Sequence, residues 1–305
     1  MPKESKVIKG KQDWLYLKSC NSIEKHSKLD NNLNIKRLDK YKYYYDKILF
    51  FVFPDKEIVC KDFLPVNMCC EFRNELNMYK DFFKEKLFDL NSILKYDDYY
   101  KTDHHINNKG ALKVYDLFLD IIQEKFKSSI INSKYSYQKI EVDSLAKLSR
   151  GIGDLTWKDN LGELKLDNTN DIFYKIIDQS NDTHDKNALN NPYDKNGLYL
   201  TYYQYTNSSF KILDYNFKDI SKSKENVVID WNMISKHIFY KMNDKYIINK
   251  KIVIFCDSFL VSTIQLYKDI FSEIYLVKNV FDQKIVEKIS PDFIFIFQIE
   301  RHLYI

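Results

Sequence analysis

Glycine is scarce in this chain, with 6 residues in 305, where average usage would supply about 21. A sequence this poor in glycine keeps one chiefly where the backbone needs it. Gly10, Gly110, Gly151, Gly153, Gly162 and Gly197 are therefore positional pointers. Cysteine is scarce too. Cys20, Cys60, Cys69, Cys70 and Cys256 are odd in number and lack zinc-ligand spacing, which argues against a disulfide framework or a structural zinc site. The adjacent Cys69 and Cys70 read as buried thiols in a reducing compartment.

Long apolar runs are missing. The longest, Ile48–Phe53, Ile252–Cys256 and Phe293–Phe297, fall far short of the ~18 residues of a membrane span, so no transmembrane segment is expected. The opening residues carry lysines but no apolar h-region, which is not the pattern of a signal peptide. The expected compartment is the cytoplasm, or the periplasm if a targeting segment has been removed. A block of one charge is also absent: 47 Lys plus Arg stand against 43 Asp plus Glu, a net +4 spread along the chain. Nucleic acid is not an expected partner.

What is present is a globular profile, 45% hydrophobic and 30% charged, rich in Tyr and Phe. Ile48–Phe53 is continuously apolar and ends at Pro54-Asp55, the pattern of a strand buried on both faces. Residues 11–17 predict a short strand. Phe72, Leu76, Tyr79, Phe83, Leu87, Leu90 and Leu94 recur at steps of three and four, which predicts a helix over 71–95. Leu112, Tyr115, Leu119, Ile122 and Phe126 predict a second helix, capped by Asn107 or Asn108. Residues 20–46 are polar and show no clear period.

The last fifty residues read as β-α-β-α-β: strand 252–256, helix 259–270, strand 274–277, helix 282–289 and strand 293–299. Such crossovers make a parallel sheet flanked by helices. The expected fold is α/β, one domain over 1–305, with an insertion of irregular and β character around 128–250. Strands are read within it at 197–210 and 227–231.

Three places carry residues suited to chemistry. Ser258 follows a buried strand and opens a helix, so it would lie beyond the carboxyl end of a parallel strand, where open α/β sheets bind ligands. That position suits a nucleophile whose attack creates an oxyanion; the plainer alternative is an N-cap. Asp103 and His105 stand two apart in a polar segment, so an extended backbone would turn both to one side. The carboxylate would then fix the imidazole tautomer, as a serine's base requires. His104 is the competing base, and a helix-capping loop is the plainer alternative. Asp-x-His also resembles metal-ligand spacing, but no further Cys/His cluster completes a site, and no metal is expected. Glu300 and Arg301 follow the final strand and arrive at the same sheet edge. They would bind a sugar hydroxyl or a carboxylate, or pair with each other.

Six segments in one order, 10–17, 53–65, 99–111, 153–155, 255–259 and 291–303, together resemble the alginate O-acetyltransferase family. These are SGNH-hydrolase-like proteins that O-acetylate bacterial exopolysaccharides. The specific part is the order, with Asp-x-His some 150 residues before the serine. The resemblance implies an SGNH-like fold and a Ser258 nucleophile, with His105 as base and Asp103 orienting it. It implies a glycan acceptor and an acyl donor or donor protein as partners. It implies no cofactor beyond an acetyl co-substrate. Cys256 stands where the family has Gly, and Ile106 where it has Trp. Gly153 is a candidate oxyanion donor. An esterase, or a transferase of a phosphoryl-type group, would use the same triad. An idle glycan-binding or assembly subunit is the alternative that Cys256 and Ile106 favour.

Overall fold

The computed structural model describes residues 7–17, 31–66, 73–127, 135–140, 173–178, 211–213, 215–218, 238–261 and 266–303. The chain begins with a small antiparallel hairpin, β1 (Val7–Lys9) and β2 (Leu15–Leu17). Helix α1 (Asn31–Lys42), strand β3 (Ile48–Phe53), the single turn α2 (Lys56–Val59), helix α3 (Asn74–Phe83) and strand β4 (Leu87–Asp89) follow. Then come the long helix α4 (Asn108–Phe126) and a separate β5 (Tyr135–Ile140) and β6 (Phe173–Asp178) pair. The remaining elements are β7 (Lys211–Leu213), β8 (Ile238–Met242), β9 (Ile248–Cys256), α5 (Ser258–Val261), β10 (Phe271–Val277), α6 (Gln283–Ile289) and β11 (Phe293–Ile299).

Seven strands form the main sheet in the order β4-β3-β11-β9-β10-β8-β7. The first five are mutually parallel, and β8 runs antiparallel to both β10 and β7. The centre of this α/β sheet is buried on both sides, which explains its unbroken apolar runs. Leu49, Phe51, Phe53, Ile252, Ile254, Phe295 and Phe297 face one core, and Ile48, Phe50, Val52, Val253, Phe255, Ile294 and Ile296 the other. Helix α4 covers the first face. Its Phe118, fully buried, has ring centroids of Phe51, Tyr267, Phe295 and Phe297 within 5.9, 5.0, 5.1 and 6.0 Å. Truncating such a residue to alanine costs about 3–5 kcal/mol. Helices α1, α3 and α6 cover the second face through Leu38, Tyr41, Leu76, Phe83, Val286 and Ile289.

Several elements differ from the sequence expectation. The strand expected over 11–17 forms only as β2, and Lys11–Asp13 make a 3-10 turn before it. The helix expected over 71–95 is α-helical only as α3 within the described residues, with single 3-10 turns at Lys84–Lys86 and Leu90–Ser92. Lys84 takes φ 51°, ψ −125° and turns the chain into β4. The leucines beyond it do not share a stripe: Leu87 joins one core and Leu90 and Leu94 the other. The helix expected over 259–270 is the one turn α5 in its described part, and Tyr267–Ile270 form a turn. Helix α1 lies in the segment without apparent period, held by Leu38 and Tyr41 three apart. The expected strands at 197–210 and 227–231 lie outside the described residues.

Gly10 and Gly110 are both dictated by close approach. A Cβ at Gly10 would meet the Phe63 carbonyl oxygen at 2.2 Å, and one at Gly110 the Asp98 carbonyl oxygen at 2.7 Å. Among the described residues, no helix is long and apolar enough to cross a membrane.

Candidate functional site

Three loops meet at the edge of the sheet where β3, β9 and β11 end. The first is the turn after β9. Asp257 pins it: its main-chain N–H donates to the Phe297 carbonyl at 3.2 Å, and its carboxylate accepts from the N–H groups of Phe259 (2.9 Å) and Ile299 (2.5 Å). The half-buried Ser258, at the start of α5, is thereby tied to β11. Cys256, at the end of β9, is a buried free thiol, and burial pushes its pKa well up, which disfavours the thiolate. Cys60 is likewise buried and shifted upward. Cys20, Cys69 and Cys70 lie outside the described residues.

The second loop spans residues 99–106. An isolated bridge between Tyr99 and Ile106 closes its neck, and Asn107 caps α4 by accepting from Lys109 and Gly110 N–H at 3.0 and 3.1 Å. Within the loop, Asp103 Oδ1 accepts the His105 main-chain N–H at 2.9 Å and lies 2.6 Å from His105 Nδ1. A carboxylate at that distance assigns the proton to Nδ1 and leaves the Nε2 lone pair available. His105 Nε2 is buried and has no hydrogen-bond partner among the described residues. The competing base is less well served: His104 Nδ1 lies 3.9 Å from the same carboxylate oxygen. The His105 ring packs 4.9 Å from the ring of Phe259, the residue after Ser258. Asp103, His104 and His105 each bring a possible metal-donor atom within 4.8 Å of one another; the Nδ1 of His105 is engaged by Asp103.

The third loop follows β11. Arg301 Nη1 donates to Asp55 Oδ1 at 2.5 Å, its main-chain N–H donates to Asp55 Oδ2 at 3.1 Å, and its guanidinium lies 5.8 Å from the Phe259 ring. Glu300 does not pair with its neighbour. Its side chain is 2% exposed, and both oxygens accept from Arg73 at 2.8–3.0 Å. Arg73 also makes paired bonds of 2.9 Å to Asp89 at the end of β4. The fold therefore gathers His105, held by Asp103, and Arg301 around the Phe259 ring beside Ser258, and gives Glu300 a partner of its own. Gly153 lies outside the described residues.

A cleft of ≈ 210 Å³ opens beside the serine turn, lined by Asp257, Lys278, Asn279, Gln298 and His302 among others. Burial pushes Lys278 down to about 8. Sequence reasoning overlooked Asp55, Lys56 and Asp257, although all three sit in segments it had singled out. Arg73 carried no signal, because its partners are remote in sequence.

No family model matches the chain, and no curated protein sequence matches it. Solved structures share its fold. Bacillus cereus PatB1 carrying a sulfonyl adduct is 12% identical with a TM-score of 0.58, covering 97% of each chain. The O-acetyltransferase domain of Pseudomonas putida AlgJ is 12% identical with a TM-score of 0.51, covering 99% of this chain and 93% of that one. A DHHW family protein from Eubacterium siraeum is 14% identical with a TM-score of 0.51, covering 89% and 85%.

Proposed function

We propose that this chain is an SGNH-like O-acetyltransferase that modifies a bacterial surface polysaccharide or its precursor, built as one domain with the segment around 128–250 inserted. The observation that carries the reading is the Asp103–His105 pair at 2.6 Å, with a buried, unengaged Nε2 against Phe259. The likeness to an O-acetyltransferase domain and to a protein that accepts a sulfonyl adduct supports it.

In this reading, His105 Nε2 removes the proton from Ser258 Oγ as the oxygen attacks the acetyl carbonyl of the donor. The tetrahedral intermediate collapses to acetyl-Ser258, and the imidazolium returns its proton to the leaving group. The same nitrogen then deprotonates a sugar hydroxyl, which attacks the acetyl-enzyme and regenerates the serine. Asp103 holds the tautomer and stabilises the imidazolium. Hydrogen bonds of this type are often long in a free enzyme and shorten in its complexes. Arg301, anchored by Asp55, binds the acceptor.

The test is intact-mass spectrometry after incubation with phenylmethanesulfonyl fluoride, and separately with 4-nitrophenyl acetate. One adduct per chain is expected, mapped to Ser258 and absent from Ser258→Ala. A label that persists in Ser258→Ala, or no label on the folded chain, overturns the reading. Acetate appearing on an added glycan, rather than free in solution, identifies transfer over hydrolysis.

A further inference from the structure

Lys56 is the most deeply buried cation on this edge of the sheet, 1% exposed, one residue past the turn that ends β3. A buried ammonium is costly unless its donors are met. Here Nζ donates to the carbonyl oxygens of Leu15 (2.7 Å), Lys101 (2.7 Å) and Asp103 (3.0 Å). Those are three acceptors for the three N–H groups of an ammonium. The rings of Trp14 and Tyr16 lie 4.9 and 5.3 Å from the same nitrogen, so the charge also rests against two aromatic faces. The Leu15 N–H donates to the same Lys101 carbonyl at 2.9 Å. One side chain thus joins the β1–β2 hairpin, the end of β3 and the 99–106 loop.

The placement matters because two of the three carbonyls belong to that loop, and one is the carbonyl of Asp103. The Asp103 carboxylate must meet both the N–H and Nδ1 of His105 through one oxygen atom. Any drift of the Asp103 main chain moves that oxygen. Leu15 and the two aromatic rings of the hairpin fix the ammonium that holds the loop.

We infer that Lys56 is a positioning residue for the Asp103–His105 pair, its ammonium fixing the main chain of Asp103 so that the carboxylate meets the imidazole. The catalytic consequence rests on the reading of His105 as the base; the positioning itself does not. A displacement of about 1 Å in such a constellation lowers a rate about 100-fold.

The experiment compares Lys56→Met, which keeps the stem and removes the donors, with the parent chain. Proton NMR reads the pair directly. A hydrogen bond as short as Asp103–His105 moves the imidazole Nδ1–H far downfield, and the line is assigned by its absence from His105→Ala. Lys56→Met is expected to melt cooperatively, to lose or displace that line, and to react with phenylmethanesulfonyl fluoride about 100-fold more slowly. In the His105→Ala background the same substitution is expected to change labelling by less than about twofold, since the two residues act as a unit. An unmoved line in folded Lys56→Met overturns the inference, as does an equal loss of labelling in both backgrounds. Lys56→Arg decides the question in the same way if Lys56→Met does not melt cooperatively. Its planar fork cannot reproduce three bonds from one nitrogen, so a displaced line and about tenfold slower labelling are expected, and an unmoved line is fatal. Label persisting in Ser258→Ala would remove the serine reading, while the NMR line would still decide the role of Lys56.

Discussion

Two charged clusters sit on the same edge of the sheet and are built in opposite ways. Around Arg73 the bonding is closed. The guanidinium bonds to both oxygens of Glu300 and both of Asp89, and Lys80 adds a further bond to Asp89 at 2.8 Å. Around His105 the bonding stops one step short: Asp103 saturates Nδ1, and Nε2 is buried without a hydrogen bond among the described residues. The ionic network joins the ends of β4 and β11 through bonds among its own members. An orphaned buried nitrogen costs about 1–3 kcal/mol, and such strain is tolerated where a reaction uses it. The contrast separates the residues that hold the edge from those that would act on it.

The largest expected effect breaks the open cluster. His105→Ala should slow sulfonyl labelling by about 10⁴-fold, near 5 kcal/mol of barrier, with the melting temperature within a few degrees of the parent. A large fall in melting temperature would assign His105 to structure. Next comes the closed cluster. Arg73→Met leaves the Glu300 carboxylate buried without its partner, for an expected loss of about 3–5 kcal/mol in urea unfolding. A loss below about 1 kcal/mol would show that the network is not a structural tie.

Glu57 sharpens the comparison through pH. Its side chain is buried near Asp55, and one oxygen has no hydrogen bond among the described residues. Burial, reinforced by the charge of Asp55, pushes it up to about 7. The folded chain therefore holds a proton that the unfolded chain releases at ordinary carboxylate pH. Its contribution is fully present below about pH 4 and is lost as pH rises through 7, on the order of 3 kcal/mol in all. Melting curves of Glu57→Gln between pH 4.5 and 7.5 should lack that decline relative to the parent; parallel curves would refute the shift. The smallest effect is expected from Arg301→Lys, which keeps the charge but loses the fork at Asp55. About 1 kcal/mol of stability should go, together with a raised acceptor KM and an intact acetylation step. Unchanged KM would leave Arg301 as the partner of Asp55 alone.

The central strands and α4 were legible because their signals are local. An apolar run bounded by Pro54-Asp55, or a stripe capped by Asn107, depends on neighbours in sequence. The helix drawn through 71–95 failed where a signal depended on the sheet, since Leu87 and Leu90 step at helical spacing while entering opposite cores. At the site, the pairing of Asp103 with His105 was readable from their spacing of two, although the chain achieves it through a bend, with Asp103 Oδ1 accepting the His105 N–H, and not through the extended segment expected. Lys56, Asp55 and Arg73 were not, because a buried cation is defined by what surrounds it. Leu15 and Lys101, which meet on Lys56, are far apart in the chain and reveal nothing as a pair.

The position of β11 bears on how the chain reaches this state. It lies between β3 and β9, pairing Ile294–Ile299 with Ile48–Phe53 and Phe293–Phe297 with Ile252–Cys256. Until it arrives, β3 presents an edge of six wholly apolar residues, the kind of template on which other chains assemble. The contact order is correspondingly high, which slows the search for the native pairing and prolongs that exposure. Synthesis from the N-terminus makes β3 wait about 240 residues for β11, its neighbour on the side away from β4. Yield of the folded protein should therefore respond to whatever shields nascent β3, such as a holdase chaperone or slow growth at low temperature.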